Sequence, residues 1–272
     1  MLPCARQVVV HPPPGDLAAA VARRTSEIVA ALGALDANAL RGPSLLPDWS
    51  RLTIACHLRY GAAALARMTD DALAGRPTSY YPGGRARQRP GTLAPDDGES
   101  PADVVASLAT RSGELHGRWS ELTPDRWATV VDEPPDNPDL GSMPLHSFAL
   151  LRLTEVEVHG TDLDLGLDDW SDGFVAAALP FRIRRLAGRR PAIPVEGSWL
   201  LVADDGPTHL VTATPTSVET GAASPDEPAT ARVEGSARDV LALLLGRPPV
   251  QPLRRAGDVD LAEAFDAAFP GP

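Results

Sequence analysis

The stretch from Leu145 to Leu165, LHSFALLRLTEVEVHGTDLDL, constrains this chain more than any other. Ser142 reads as an N-cap, Pro144 as a first-turn proline and Gly160 as the stop of a helix between them. Apolar side chains occur almost all round that helix, so it must be buried. One stripe at 3-4 spacing is occupied by Leu145, Phe148, Arg152, Glu155 and His159, and so turns ionisable half-way along. Glu155 and His159 stand one turn apart, about 40° round the axis, and Arg152 lies within about 60° of both. Glu157 points to the other side. Buried ionisable groups are costly unless partnered.

Two readings account for the trio. Glu-x3-His on one helical face offers an oxygen and a nitrogen to the same metal ion. Alternatively, Arg152, Glu155 and His159 form a buried polar network without metal. A third ligand elsewhere would decide for the first.

The rest of the chain supplies a candidate. In LLPDWSRLTIACHLRYGAAALARM, Ser50 is a plausible N-cap, and Ile54, His57, Leu58, Gly61, Leu65 and Met68 share one face. His57 therefore points with a core stripe. Gly61, lacking a side chain, lets a neighbouring helix or a ligand come close. Two imidazoles and one carboxylate form the set that leaves positions open on a catalytic metal.

Further amphipathic helices frame these two. Asp16 caps one running to Leu32 and closed by Gly33, with Leu17, Val21, Ile28 and Leu32 inward. Residues 36–46 form a connection with a short helical turn. Ser100 and Pro101 start another helix with Val104, Val105, Leu108, Leu115, Trp119 and Leu122 as its stripe, leaving His116 on the surface. His146, at the start of the Leu145 helix, falls on its flank. Residues 15–167 thus read as a four-helix bundle. Gly75 to Pro95, GRPTSYYPGGRARQRPGTLAP, is a long polar loop of the kind used as lids, and its arginines suit a carboxylate. Residues 1–14 read as an irregular arm, with His11 on the surface.

After Gly166 the pattern changes. A helix follows Ser171; strands are expected at 198–202, 209–214 and 230–234, a turn-rich segment at 218–225, and helices at 236–245 and 260–269. Residues 168–272 form a small α+β domain, and the fold class is α+β with the bundle first.

Composition excludes several partner classes. The 272 residues carry 36 acidic against 25 basic groups, a net charge of -11, and every basic one is arginine. That argues against binding nucleic acid or an anionic membrane. No apolar run approaches a membrane span, and the N-terminus MLPCARQVVVHPPPG does not read as a signal peptide. Cys4 and Cys56 make no disulfide framework, so a reducing cytoplasm is expected. Oligomeric state, monomer or homodimer, is left open.

The Trp49–Leu58 element W-S-x6-HL, the YYPGGRAR loop and the run RLTEVEVHGTDLDLG resemble the mycothiol-dependent maleylpyruvate isomerase family, whose bundle is of the DinB-like metal-binding type. The stretch from Val233 to Arg247, VEGSARDVLALLLGR, is similar to that family's C-terminal module. The resemblance implies metal ligands, and hence catalytic residues, at His57, Glu155 and His159. It places Arg152 and Asp162 behind them, with Asp162 orienting His159. It implies a divalent metal, written as zinc, and the thiol mycothiol as cosubstrate in a cleft beside the second domain. The activity implied is that of a thiol S-transferase or isomerase in which a metal-activated thiolate attacks a small electrophile. Tyr80, Tyr81, Arg85 and Arg247 are the candidates for binding thiol and substrate. The competing class is a non-catalytic metal- or thiol-binding module.

Overall fold

The structure, a computed structural model, describes residues 12–137 and 140–271. The expected arm, with Cys4 and His11, lies outside these residues except for Pro12 to Pro14. The chain divides in sequence between Asp169 and Trp170 into two compact units.

The first unit is a four-helix bundle. Its helices are α1 (Pro14–Gly33), α3 (Arg51–Leu73), α5 (Pro101–Ser120) and α7 (Leu145–Asp162); shorter helices α2 (Ala37–Arg41), α4 (Arg85–Thr92) and α6 (Pro124–Trp127) lie in the connections. The main helices neighbour one another in the ring order α1, α5, α3, α7. The inward residues are those of the sequence stripes: Leu17, Val21, Ile28 and Leu32 of α1, Ile54, Leu58, Leu65 and Met68 of α3, Val104, Leu108 and Trp119 of α5. Each large apolar side chain so buried contributes about 1.5–3 kcal/mol. Ser50 caps α3 by accepting the Thr53 N–H, and Ser100 with Asp103 makes a reciprocal capping box on α5. His116 and His146 are exposed.

Three expected helix ends differ. Helix α1 starts at Pro14, so Asp16 sits in its first turn and not at the cap. Ser142 does not cap α7; its hydroxyl donates to Asp132 Oδ1, and Met143–Pro144 pairs as strand β2 with β1 (Val130–Val131) before the helix begins. Gly160 does not stop α7, which runs to Asp162. The glycine is used instead for closeness: a Cβ there would stand 3.0 Å from the Arg24 guanidinium. That guanidinium pairs with the buried Glu157 at 3.2 Å, which explains why Glu157 faces away from the ionisable stripe.

The loop expected over residues 75–95 is also more ordered than a lid. Its second half is helix α4, which buries no residue and so has no apolar period to read. Its first half is pinned at Tyr80. The backbone N–H of Tyr80 donates to Glu133, and its carbonyl accepts from the Tyr60 hydroxyl and from Arg67. Among the described residues no helix is long and apolar enough to cross a membrane.

The second unit opens with α8 (Asp172–Arg184), capped by Ser171. A five-stranded mixed sheet follows, built from β3 (Gly197–Ala203), β4 (His209–Thr214), β5 (Ser217–Ala222), β6 (Ala231–Gly235) and β7 (Arg254–Gly257), in the order β5-β4-β3-β6-β7. Only β3 and β6 run parallel. Helix α9 (Ala237–Leu244) is capped by Ser236; α10 (Val259–Glu263) and α11 (Phe265–Ala268) replace the single helix expected at 260–269. The turn-rich reading of 218–225 is corrected by β5, an edge strand with Val218 as its one buried residue. Strand β7 was not expected. Its sequence, Arg-Arg-Ala-Gly, carries no apolar alternation.

Candidate metal centre

Helices α3 and α7 are neighbours, and each presents its ionisable positions to the same point. The Nε2 atom of His57 lies 2.7 Å from Oε2 of Glu155, and Nε2 of His159 lies 3.5 Å from that oxygen. One donor atom from each of the three residues falls within 4.8 Å of the others. Donors held about 2.0–2.2 Å from a common ion sit about 3–3.5 Å apart. His159 and Glu155 stand at that separation, and His57, hydrogen-bonded to Glu155 at 2.7 Å, would open by a few tenths of an ångström; two imidazole nitrogens and a carboxylate oxygen are a donor set that suits a divalent cation of the zinc type, and equally nickel, cobalt or iron.

The chain orients the donors before any ion arrives. Nδ1 of His159 donates to Oδ2 of Asp162 at 2.9 Å, and Asp162 is 1% exposed. This bond fixes the ring and turns the Nε2 lone pair toward Glu155. The Asp162 backbone carbonyl accepts from the Leu45 N–H, and Arg51 Nε donates to the Leu163 carbonyl. These two bonds tie the segment before α3 to the end of α7 and bring Trp49 over the histidines. The Trp49 ring lies parallel to His159, with centroids 5.9 Å apart, and edge-on to His57 at 5.5 Å.

The ionisation pattern follows from burial and hydrogen bonding. Burial pushes the His57 pKa down, and the hydrogen bond to Glu155 only partly opposes this, so the ring is a neutral donor. Burial acts in the same sense on His159, but its bonds to Asp162 and Glu155 outweigh it and the net direction is upward. Burial would raise the Glu155 pKa; bonds from both histidines hold it well below the usual carboxylate range. The site has one open side: the Glu155 side chain is 43% exposed, whereas those of His57 and His159 are 15% and 12% exposed.

Arg152 belongs to the same stripe but makes no direct bond to the three donors among the described residues. It is 1% exposed, and its Nε and Nη2 have no hydrogen-bond partner there. Gly61 makes room for it: a Cβ at Gly61 would meet Arg152 Nη1 at 2.9 Å and the Tyr80 hydroxyl at 3.0 Å. Tyr80 and Tyr81 pack with Tyr60 in one aromatic cluster, and Tyr81 and Tyr60 are stacked at 5.2 Å. Arg85 of α4 lies over Tyr81, 5.7 Å from its centroid. Arg247 belongs to the second unit, where its Nη1 donates to the Leu245 carbonyl. There it lines a cavity of about 490 Å³ with Leu243, Pro248, Leu253 and Arg255.

Two contributors, Trp49 and Glu133, escaped the sequence reading of the site, and a third, Arg89, was read only as one of the loop arginines that suit a carboxylate. Trp49 stood inside a quoted motif but outside any helix whose period could aim it. Arg89 of α4 lies over Trp49, 5.8 Å from its centroid. Glu133, 8% exposed, accepts backbone N–H groups from Tyr80, Leu140 and Gly141 and so holds the tyrosine segment in place.

A family profile described as "Mycothiol maleylpyruvate isomerase N-terminal domain" matches residues 21–164. Among solved structures, the chain is similar to a crystal structure of the mycothiol-dependent maleylpyruvate isomerase, at 20% identity and a TM-score of 0.68, over 90% of this chain and 93% of that one. A crystal structure of a histidine-to-alanine mutant of that isomerase matches with a TM-score of 0.67 at the same identity and coverage. At this identity the likeness is one of fold. A comparison with curated protein sequences gives no match.

Proposed function

The chain belongs to the family of the mycothiol maleylpyruvate isomerase N-terminal domain, and from that premise we propose that it is a mycothiol-dependent metalloenzyme acting as an isomerase or S-transferase. One observation carries the reading: Nε2 of His57, Nε2 of His159 and Oε2 of Glu155 converge from two helices. These residues would hold a divalent metal, most simply zinc. Such a cation supplies a Lewis acid that lowers the pKa of a bound thiol, so that thiolate is present at neutral pH.

The chain's own groups do the rest. Asp162 accepts the His159 Nδ1 proton and keeps Nε2 turned inward. Glu155 stays ionised and reachable. Trp49 walls one side of the site. Cys56 is not the nucleophile. It is fully buried, and burial pushes its thiol up to about 11, so an external thiol must serve. In the isomerase reaction the thiolate adds to an activated cis double bond. The former double bond rotates as a single bond, and the thiol is expelled again, regenerated without net consumption. In a transferase the new C–S bond is retained and a leaving group departs with its electron pair. Tyr80, Tyr81 and Arg85 are the proposed contacts to thiol and substrate within the first unit.

The test is turnover by metal-loaded protein supplied with mycothiol and maleylpyruvate, with separate detection of isomerised acid and S-conjugate. Thiol-dependent formation of either product is expected, and it should be lost in His57→Ala. Saturable thiol binding with no product from maleylpyruvate or other electrophiles would identify a binding module instead.

A further inference from the structure

We propose that the second unit carries a binding site of its own, for a small zwitterion with an apolar body, in the cavity of about 490 Å³ lined by residues of α9, β7 and α11. It does not rest on the proposed thiol chemistry. Cavities of about 300–1,000 Å³ are the size that encloses small-molecule ligands. The wall of this one is built in advance. Asp239 of α9, 4% exposed, accepts the Ser236 hydroxyl and the Val250 N–H, each at 2.7 Å. These bonds pin the segment after α9, where Pro248, Pro249 and Pro252 restrict the backbone further.

Two opposite charges line the cavity, Arg255 and Asp266, and among the described residues no ion pair joins them. Successive side chains of β7 point to opposite faces of the sheet. Arg254 is exposed and pairs with Asp204 at 2.7 Å. Arg255 stands opposite Val233 of β6, which is fully buried, so it turns to the covered face. Its Nε is buried there without a hydrogen-bond partner, and an unmade bond at a buried donor is destabilising. Arg247, on the same wall, gives its Nη1 to the Leu245 carbonyl. Burial pushes the Asp266 carboxyl pKa up, and the charge of Arg255 opposes this, so the two groups share one field without bonding. A ligand carboxylate suits the planar fork of Arg255, and a ligand ammonium suits Asp266. An anion alone would meet the like charge of Asp266; a cation alone would leave Arg255 unmet. Leu243 and Leu253 supply apolar surface beside the charges. Apolar amino acids and short apolar peptides have this chemistry.

Isothermal titration calorimetry of the full-length protein with L-phenylalanine and with L-leucyl-L-leucine tests the site. Each is compared with its N-acetyl form, which lacks the ammonium, and its C-terminal amide, which lacks the carboxylate. At least one of the two zwitterions should bind saturably, and about tenfold more tightly than either of its capped forms. Arg255→Gln should lose the preference over the amide and keep the preference over the N-acetyl form. Asp266→Asn should do the reverse. Arg254→Gln, on the other face of the strand, and His57→Ala, in the first unit, should stay within about twofold of the parent. If Arg255→Gln does not fold, Arg255→Lys, which keeps the charge without the fork, should show a reduced preference over the amide. No saturable binding of either zwitterion at millimolar concentration would overturn the proposal and leave Arg255 as a charge that protects the sheet edge. Equal affinity for capped and uncapped ligands, or preferences unchanged in the Arg255 and Asp266 variants, would overturn it too. So would an equal loss in Arg254→Gln, which would mean a diffuse field, or loss of binding in His57→Ala, which would place the ligand at the metal centre.

Discussion

Replacing Asp162 measures how far the protein pre-orients its donors. The carboxylate is 1% exposed and accepts the His159 Nδ1 proton at 2.9 Å. In Asp162→Ala the imidazole N–H loses a buried acceptor, which costs about 1–3 kcal/mol. Loss of a partner that orients a ligating histidine lowers metal affinity about 10–100-fold, which is about 1.4–2.7 kcal/mol. The first figure is a loss of fold stability, read in unfolding; the second is a loss of metal affinity, and it follows from a ring free to turn away from Glu155. Asp162→Asn keeps an acceptor oxygen in nearly the same volume and removes the charge. Charge-assisted hydrogen bonds are roughly twice as strong as neutral ones, so its affinity should fall by only about half as many logarithmic units. The backbone carbonyl that accepts from Leu45 is untouched in both variants. The assay is competition for the metal against a chromophoric chelator at fixed pH, with thermal unfolding of the metal-free proteins as control. Affinity within twofold of the parent in a folded Asp162→Ala protein would refute the orienting role; if that variant does not fold, the same result in Asp162→Asn would do so.

Four further outcomes are expected. Metal affinity should fall on acidification, because the His159 pKa is raised and a proton retained to higher pH competes there first; Asp162→Asn removes an upward cause, so each variant's proton-competition midpoint, measured against its own plateau, should move to lower pH, and an upward move would contradict this. Glu133→Ala leaves the N–H groups of Tyr80, Leu140 and Gly141 without their acceptor, so unfolding should require several kcal/mol less, of order 1–3 per buried group, and a melting temperature equal to the parent's would count against the clamp. Gly61→Ala gains about 1 kcal/mol of helix propensity but drives a methyl to 2.9 Å from buried Arg152 and 3.0 Å from the Tyr80 hydroxyl; a net loss of stability is expected in chemical denaturation, and a net gain would mean both side chains yield freely. Cys56, with its thiol raised to about 11 by burial, should resist disulfide-exchange reagents at pH 8 until the protein unfolds, as read by peptide mapping, and prompt labelling in the folded state would contradict its burial.

The parts of the site that were legible in the sequence are those set by a single helix. Leu145, Phe148, Arg152, Glu155 and His159 share a face because the helical period puts them there, and the surrounding apolar residues force that face inward. His57 was legible for the same reason on α3. What convergence required, that α3 and α7 be neighbours, is a property of packing; the helix faces alone made His57 a candidate third ligand, and the resemblance pointed to the same three residues. The placement of Trp49 and of Arg89 beside it was not legible because each is aimed by a turn. Asp48 before the tryptophan has a φ of 65° and Gly84 before α4 has a φ of 86°, and neither leaves a periodic trace. Helix α4 buries no side chain and contains Pro90, so its sequence reads as loop. Glu133 was invisible in a Pro/Asp-rich connection, since its three backbone partners come from two separate segments. Strands β5 and β7 lie at the two edges of the sheet, where one face has little to bury and alternation fades.

Elemental analysis of the purified protein, with His57→Ala and His159→Ala beside it, tests the central claim most directly. The account predicts about one divalent ion per chain in the parent and loss of that ion in both variants, with the fold retained. A parent protein that carries no metal when purified without chelator, and takes up none when it is supplied, would reduce His57, Glu155 and His159 to a buried polar network.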